Sequence, residues 1–359
     1  MDVTDSPLDS TDTYARLDPV GLYGRIAALP AQIEEAWRAG SGLELPDDYR
    51  TAERIVVLGM GGSGIGGSLL RALALDLGAS TPVDVVRGYA LPAYVDVRTL
   101  VVASSNSGNT EEVVATFGQA IRSGAKCLAM TTGGHLRETA REHHAPVLSF
   151  EWSGEPRAAL GWSFASLLAI CVRLGLLPDV APDVGPAVAH MRALVAQIDR
   201  DAPEAANPAK QLARRLAGIL PVFVASQALA PVAYRWRTQM NENAKSWAMA
   251  EELPEMNHNA PLGYGAPASV AAAVRAVILR QASIDPRTSR RVDLTLEQMR
   301  AAGVAAEVVE VPGASVLAQM LWAIQYGDFV SYYLGLLYGV DPSEMRALDW
   351  IKARLAAGS

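Results

Sequence analysis

The sequence predicts an α/β protein built as two units, each a parallel sheet flanked by helices. Two observations carry that expectation. Short apolar runs at Arg54–Leu58, Leu100–Ser104 and Cys127–Thr131 are each followed by a glycine- or hydroxyl-rich loop and then a helical stretch. After a helical interval the alternation restarts, with runs at Pro221–Ser226, Val277–Ser283 and Ala306–Val311. Strands that alternate with helices form parallel sheets, whose functional loops lie at the carboxyl ends of the strands.

Taken in order, residues 1 to about 20 are polar and acidic and read as loosely attached. Residues 21–40 read as helix interrupted near Pro30. The strand RIVVL (54–58) leads into GMGGSGIGG, with a helix from Ser68. Val83–Arg87 is a second strand. LVVAS (100–104) leads into SNSGNTEE and a helix to Ser123, and Pro146–Phe150 closes the first sheet. The chain is then helical to about Leu216. Ser315–Tyr338 is a long apolar helix, Asp341-Pro342 breaks it, and Arg346–Ala356 forms a last one. The division is therefore 1–50 as an N-terminal extension and helix, 51–155 as the first unit, 156–210 as a helical connection, and 211–359 as the second unit.

Composition excludes several classes. The chain has 359 residues, half of them hydrophobic and 19% charged, which suits a protein with an ample core. A net charge of −7 argues against nucleic acid as a partner. The longest apolar run, Ala158–Val172, is too short to span a bilayer, so no membrane is expected. Cys127 and Cys171 sit in apolar contexts and read as buried thiols in a reducing, cytoplasmic compartment. The start MDVTDSPLDSTDTY is not a signal peptide.

Three stretches carry candidate chemistry. Ser105-Asn106-Ser107-Gly108-Asn109-Thr110 places three hydroxyls where a strand ends and a helix begins. One helix cap needs one hydroxyl, so three suggest an anion held with backbone N–H groups. Gly61, Gly62 and Ser63, from another strand end, point to the same crevice. Together they form a phosphate cup without a lysine, which suits a phosphate that is held and does not react. The same glycines formally match G-x-G-x-x-G. That leaves an NADP-dependent oxidoreductase as an alternative, with Arg87 at a strand end to meet a 2′-phosphate. The third stretch, Gln239–Gly263, holds four asparagines, four glutamates, one lysine and one histidine, and resembles no core segment. A carboxylate and an imidazole in one loop-rich stretch suit general acid–base work.

GMGGSGIGG, SSNSGNTEE and TTGG in this order resemble the sugar isomerase (SIS) domain. EPRAALGWSF (155–164), NENAK (241–245), ELPEMNHN (252–259) and the tail YLGLLYGVDP…IKARL narrow the resemblance. They are similar to the bifunctional phosphoglucose/phosphomannose isomerases of the phosphoglucose isomerase superfamily. The resemblance spans about Arg54 to Leu355.

It implies two SIS-type domains and an aldose–ketose isomerase that interconverts glucose 6-phosphate or mannose 6-phosphate with fructose 6-phosphate through a cis-enediolate. It implies that Gly62, Ser63, Ser105, Ser107 and Thr110 hold the 6-phosphate, and that Glu242 moves a proton between C1 and C2. His258 would open the ring from the neighbouring subunit of a homodimer. Lys352 would assist that opening, and Arg157 would steady the enediolate. No cofactor and no metal are implied, and the partner is a small sugar phosphate. The competing expectation is a non-catalytic SIS protein that only binds sugar phosphates, since a sensor needs no more than the cup.

Overall fold

The computed structural model describes residues 6–357. Helices α1 (Thr11–Leu17), α2 (Leu22–Ala27) and α3 (Leu29–Gly42) precede β1 (Arg54–Leu58). Then follow α4 (Gly61–Asp76), β2 (Val83–Val86), β3 (Thr99–Ser104), α5 (Glu111–Arg122), β4 (Lys126–Thr131), α6 (Gly134–Glu142) and β5 (Val147–Ser149). Three helices, α7 (Leu160–Arg173), α8 (Ala181–Ile198) and α9 (Pro208–Leu216), lead to β6 (Leu220–Ser226). The second unit continues with α10 (Ala230–Asn243), β7 (Met249–Leu253), α11 (Ala268–Ala273), β8 (Val274–Gln281), α12 (Pro286–Ala301) and β9 (Ala305–Val311). It ends with α13 (Val316–Leu337) and α14 (Arg346–Ala357).

Both sheets are parallel throughout, with orders β2-β1-β3-β4-β5 and β7-β6-β8-β9. The expected alternation is therefore present, and strands buried on both faces explain the continuous apolar runs in β1 and β3. The helix after β1 starts at Gly61 and not at Ser68. The helices α7 and α13 are buried almost all round and form the seam between the units. Cys127 and Cys171 are both free and buried, as expected, and burial pushes each thiol up to about 12.

Two expectations are corrected. The N-terminal stretch is not loose over residues 6–20, because Leu8, Tyr14 and Leu17 are buried in the main core. Tyr14 Oη donates to the Leu8 carbonyl at 2.7 Å, and Asp9 pairs with the fully buried Lys210 at 2.9 Å. Residues 1–5 lie outside the described residues. The stretch Gln239–Gly263 is not mainly loop: it holds the end of α10, the edge strand β7 and two short 3-10 turns. An edge strand needs no apolar run, and Glu251 and Glu252 of β7 are exposed.

The seam contains a buried ion pair. Arg235 on α10 donates to both carboxylate oxygens of Asp328 on α13, at 3.1 and 2.6 Å, and Gln239 Nε2 adds a third donor at 3.1 Å. Burial raises the Asp328 carboxyl above its ordinary range, and Arg235 opposes that rise. Removing one partner of such a pair leaves an uncompensated buried charge. Asp328→Ala is therefore expected to lower the unfolding free energy by about 3–5 kcal/mol, read from urea denaturation. A loss below about 1 kcal/mol, the scale of an exposed pair, would show that the charge is not isolated.

Candidate active site

The loops expected to form a phosphate cup leave two neighbouring strand ends. β1 and β3 pair in register, Leu58 with Ala103, so their loops leave the sheet side by side. Gly61 opens α4 with φ +47°, a left-handed value that glycine adopts without strain. A Cβ on Gly62 would lie 2.7 Å from the Pro156 carbonyl oxygen and 2.9 Å from Arg157 Cα, so only glycine lets the two segments approach. Ser163 Oγ donates to the Gly62 carbonyl at 3.1 Å and fixes the contact. Ser63 is half-buried in the first turn of α4, with its N–H, like that of Gly64, donated to the Met60 carbonyl at 3.0 and 2.9 Å, so its hydroxyl is what it can offer an anion.

In the β3–α5 loop, Ser105 is buried, with Oγ 2.8 Å from Thr110 Oγ1 and accepting from Gly108 N at 3.1 Å. Ser107 is exposed and accepts from Asn109 N at 3.2 Å. The loop is locked to the next one: Thr132 Oγ1 donates to the Asn106 carbonyl at 2.7 Å, and His135 N donates to Asn109 Oδ1 at 3.1 Å. His135 read as an ordinary histidine from sequence, yet its ring also lies 2.9 Å from Asn109 Oδ1. The TTGGHL stretch carried that signal.

The second half of the site surrounds Arg157, in the 3-10 turn Pro156–Ala158 and only 2% exposed. Its Nε donates to Asn243 Oδ1 at 2.7 Å and its Nη2 to the Pro342 carbonyl at 2.7 Å. Nη1 has the longer contacts, 3.3 Å to Glu242 Oε2 and 3.5 Å to Met345 Sδ. Burial lowers the guanidinium below the usual arginine range, and the carboxylates of Glu242 and Glu155 oppose it. Burial also works against the ionised Glu155, but the nearby Ser343 hydroxyl and the charges of Arg25, 2.9 Å away, and Arg157 hold it below the carboxylate range.

Glu242 stands at the C-terminal end of α10 with its side chain 30% exposed, so it can face both Arg157 and a bound molecule. Lys245 follows with φ +53°, donating from Nζ to the Glu242 carbonyl at 2.6 Å and the Pro342 carbonyl at 3.0 Å. Burial, followed by the Arg157 charge, lowers its ammonium below the usual lysine range.

The described chain thus brings Arg157, Glu242 and the Gly62 loop together. Among the described residues, neither His258 nor Lys352 makes a hydrogen bond or ion pair with them. His258 is exposed in the turn Glu255–His258 after β7, and Lys352 is exposed on α14. Sequence reading missed Asn243, Lys245 and Arg235. The signal was there: Arg235, Gln239 and Asn243 recur every four residues, so all three share the buried face of α10.

A groove of about 770 Å³ lies elsewhere, between α4, β2 and the start of α10; Arg87 lines it, but none of the phosphate-cup or acid–base candidates does. Among the described residues, no cluster of three His, Cys, Asp or Glu could hold a metal ion, and no helix is long and apolar enough to cross a membrane.

Residues 205–355 match the family described as bacterial phospho-glucose isomerase C-terminal SIS domain. The bifunctional phosphoglucose/phosphomannose isomerase of Caldicellulosiruptor bescii is 37% identical over 338 residues, 93% of this chain and 99% of that protein. The chain belongs to the bifunctional phosphoglucose/phosphomannose isomerase family. The member from Aquifex aeolicus is 32% identical over 90% of this chain and 99% of its own length. The fold is shared more widely. The crystal structure of a hypothetical protein from Thermus thermophilus superposes with a TM-score of 0.74 at 17% identity, covering 96% of this chain and 93% of that one. Within this isomerase family member, Arg235, Glu242, Asn243, His258 and Lys352 all fall inside the matched C-terminal region, whereas the cup and Arg157 precede it.

The cup can be tested at a residue that touches no sugar hydroxyl. Gly108 has φ +70°, and a Cβ there would collide with the Gly133 carbonyl oxygen. Gly108→Ala is expected to push the loop away and weaken binding of a sugar phosphate at least about tenfold by isothermal titration, since the added strain falls on the loop itself. Unaltered affinity would place the phosphate elsewhere.

Proposed function

We propose that the chain interconverts glucose 6-phosphate and mannose 6-phosphate with fructose 6-phosphate, as an intramolecular oxidoreductase working through a cis-enediolate. The observation that carries this reading at the level of residues is the Arg157–Glu242 contact, 3.3 Å, beside the glycine loop of the cup. An aldose must open before its C2 proton can leave. That proton is weakly acidic, so a carboxylate must be near and the developing oxyanion must be stabilised. In this reading Gly62, Ser63, Ser105, Ser107 and Thr110 hold the 6-phosphate. Glu242 takes the proton from one carbon and returns it to the other. Arg157 Nη1, whose contacts are long, turns its donor to the enediolate, while Nε and Nη2 keep the guanidinium in place. His258 and Lys352 serve ring opening. The unit boundaries follow the two sheets, at 51–155 and 211–359, and the two buried free thiols support a reducing, cytoplasmic setting.

The position of His258 supports a homodimer with shared sites. On the same unit Trp247 and Leu262 are 75% and 94% exposed, apolar surface of the kind that a partner covers. A two-fold dimer would set one chain's His258 beside the other's Glu242. One observation favours the second reading, a non-catalytic sugar-phosphate binder: among the described residues of a single chain, neither His258 nor Lys352 bonds to the Arg157–Glu242 pair.

Glu242→Gln decides between them. Turnover in a coupled assay is expected to fall at least about a hundredfold with little change in phosphate affinity. A wild-type chain without turnover on any hexose 6-phosphate would leave the binder.

Assembly has its own test. Mixing Glu242→Gln with His258→Ala subunits should give about half mixed dimers, each with one intact site, and roughly a quarter of wild-type activity. Subunit exchange seen by mass spectrometry without regained activity would assign His258 to its own chain's site or to none.

A further inference from the structure

We propose that Asn243 is a positioning residue of the isomerisation: it aims the Arg157 guanidinium so that Nη1 faces Glu242. This rests on Glu242 being the proton-transfer base. Consecutive residues on a helix point about 100° apart. At the end of α10, Glu242 therefore faces the cleft while Asn243 faces the interior, where it is fully buried. Arg157 spans the two, with Nε on Asn243 at 2.7 Å and Nη1 on Glu242 at 3.3 Å. The inner contact is the shorter one and sets the plane of the guanidinium.

The amide has one consistent orientation. A guanidinium only donates, so the atom facing Nε must be Oδ1. Nδ2 then donates to Ser331 Oγ at 2.9 Å. Ser331 donates its own hydroxyl proton to the Asp328 carbonyl at 2.8 Å, which leaves a lone pair toward Asn243. Asp328 in turn neutralises Arg235, and Arg235 Nη2 holds the Arg157 carbonyl at 3.1 Å. Arg157 is thus gripped at its backbone and at its side chain by one closed ring of bonds.

The neutrality of the amide matters as much as its geometry. The charged groups that act on Arg157 are Glu242, Glu155 and Arg235, and those that act on the neighbouring Lys245 are Arg157, Asp341, Glu344 and Glu242. Asparagine satisfies Nε without adding to these carboxylates. An aspartate of the same shape would claim part of the Arg157 charge and disfavour the ionised form of Glu242.

The test is steady-state kinetics against pH for Asn243→Asp. The expected result is a fall in kcat of roughly tenfold to a hundredfold, the scale of a displaced catalytic group. KM should stay within about twofold, because the phosphate cup is untouched. The acid limb of the kcat profile should also move to higher pH, because the new carboxylate disfavours a second charge beside it; the fall in kcat at constant KM is what a purely structural role would not cause. A wild-type kcat and acid limb would overturn the proposal. If that variant does not fold, Ser331→Ala takes its place: it releases Nδ2 without touching Arg157, and kcat should fall several-fold at constant KM. A wild-type kcat in folded Ser331→Ala would then overturn the proposal. Glu242→Gln, run in parallel, separates the two readings. Activity retained there removes Glu242 as base, whereas its loss beside a wild-type Asn243→Asp profile removes only the role of Asn243.

Discussion

A cation that is only 2% exposed is costly unless every donor finds a partner, and the site is organised by that requirement at Arg157. The partners of its donors come from two parts of the chain, Glu242 and Asn243 at the end of α10 and the segment Pro342–Met345. Neither part could be moved without leaving a buried N–H unpaired. The seam between the two units is consequently polar at its centre and apolar around it. The polar centre fixes which end of α10 meets which end of the glycine loop.

The two units share a topology, and the comparison explains why the cup is found in only one of them. The order β2-β1-β3-β4 recurs as β7-β6-β8-β9. After the central strand each unit has a residue with positive φ, Gly61 at +47° and Gln227 at +51°. Asp76 lies at the same distance along the chain from Gly61 as Glu242 does from Gln227. Beyond those positions the loops differ. The first unit has Gly62, which admits the Arg157 backbone, and the hydroxyls of Ser105, Ser107 and Thr110. In the second unit Ala228 stands where Gly62 does, and the loop after β8 is Ala-Ser-Ile-Asp-Pro, whose Asp285 is used to cap α12. One unit therefore offers an anion cradle, and the other offers the C-terminal end of a helix carrying Glu242.

How much of this was legible in the sequence depends on how each element is stabilised. β1, β3, β6 and the core helix α13 declare themselves because burial on all sides demands continuous apolar runs. The strand β7 does not, since an edge strand with Glu251 and Glu252 outward has no reason to be apolar. Helix α1 was hidden by the acidic composition around it, because Leu8, Tyr14 and Leu17 are too sparse to set a period, whereas α2 and α3 fall in the stretch that read as an interrupted helix. At the site, motif residues such as Glu242 and the hydroxyl loop stand out by chemistry. Asn243 and Arg235 do not, because a buried polar residue is recognised by its partner, and Ser331 and Asp328 lie nearly a hundred residues away. Lys352 shows the converse limit: sequence likeness names it, yet the amine near the Arg157–Glu242 pair is that of Lys245.

The closest coupling in the molecule is also the one that turns binding into chemistry. Gly62 belongs to the cup, and its missing side chain is what allows Pro156 and Arg157 to touch it. Ser163, at the start of α7, bonds the same glycine carbonyl. The glycine loop and the Arg157 turn are therefore packed directly on each other, and in the proposed reaction a phosphate in the cup would be held at a fixed offset from Arg157. In the proposed reaction the phosphate does not react, so its binding energy is useful only if it places C1 and C2 against Glu242. A flexible cup would bind the sugar equally well in many poses and accelerate nothing. Rigidity at Gly62 is what makes a remote anion site part of the catalytic apparatus.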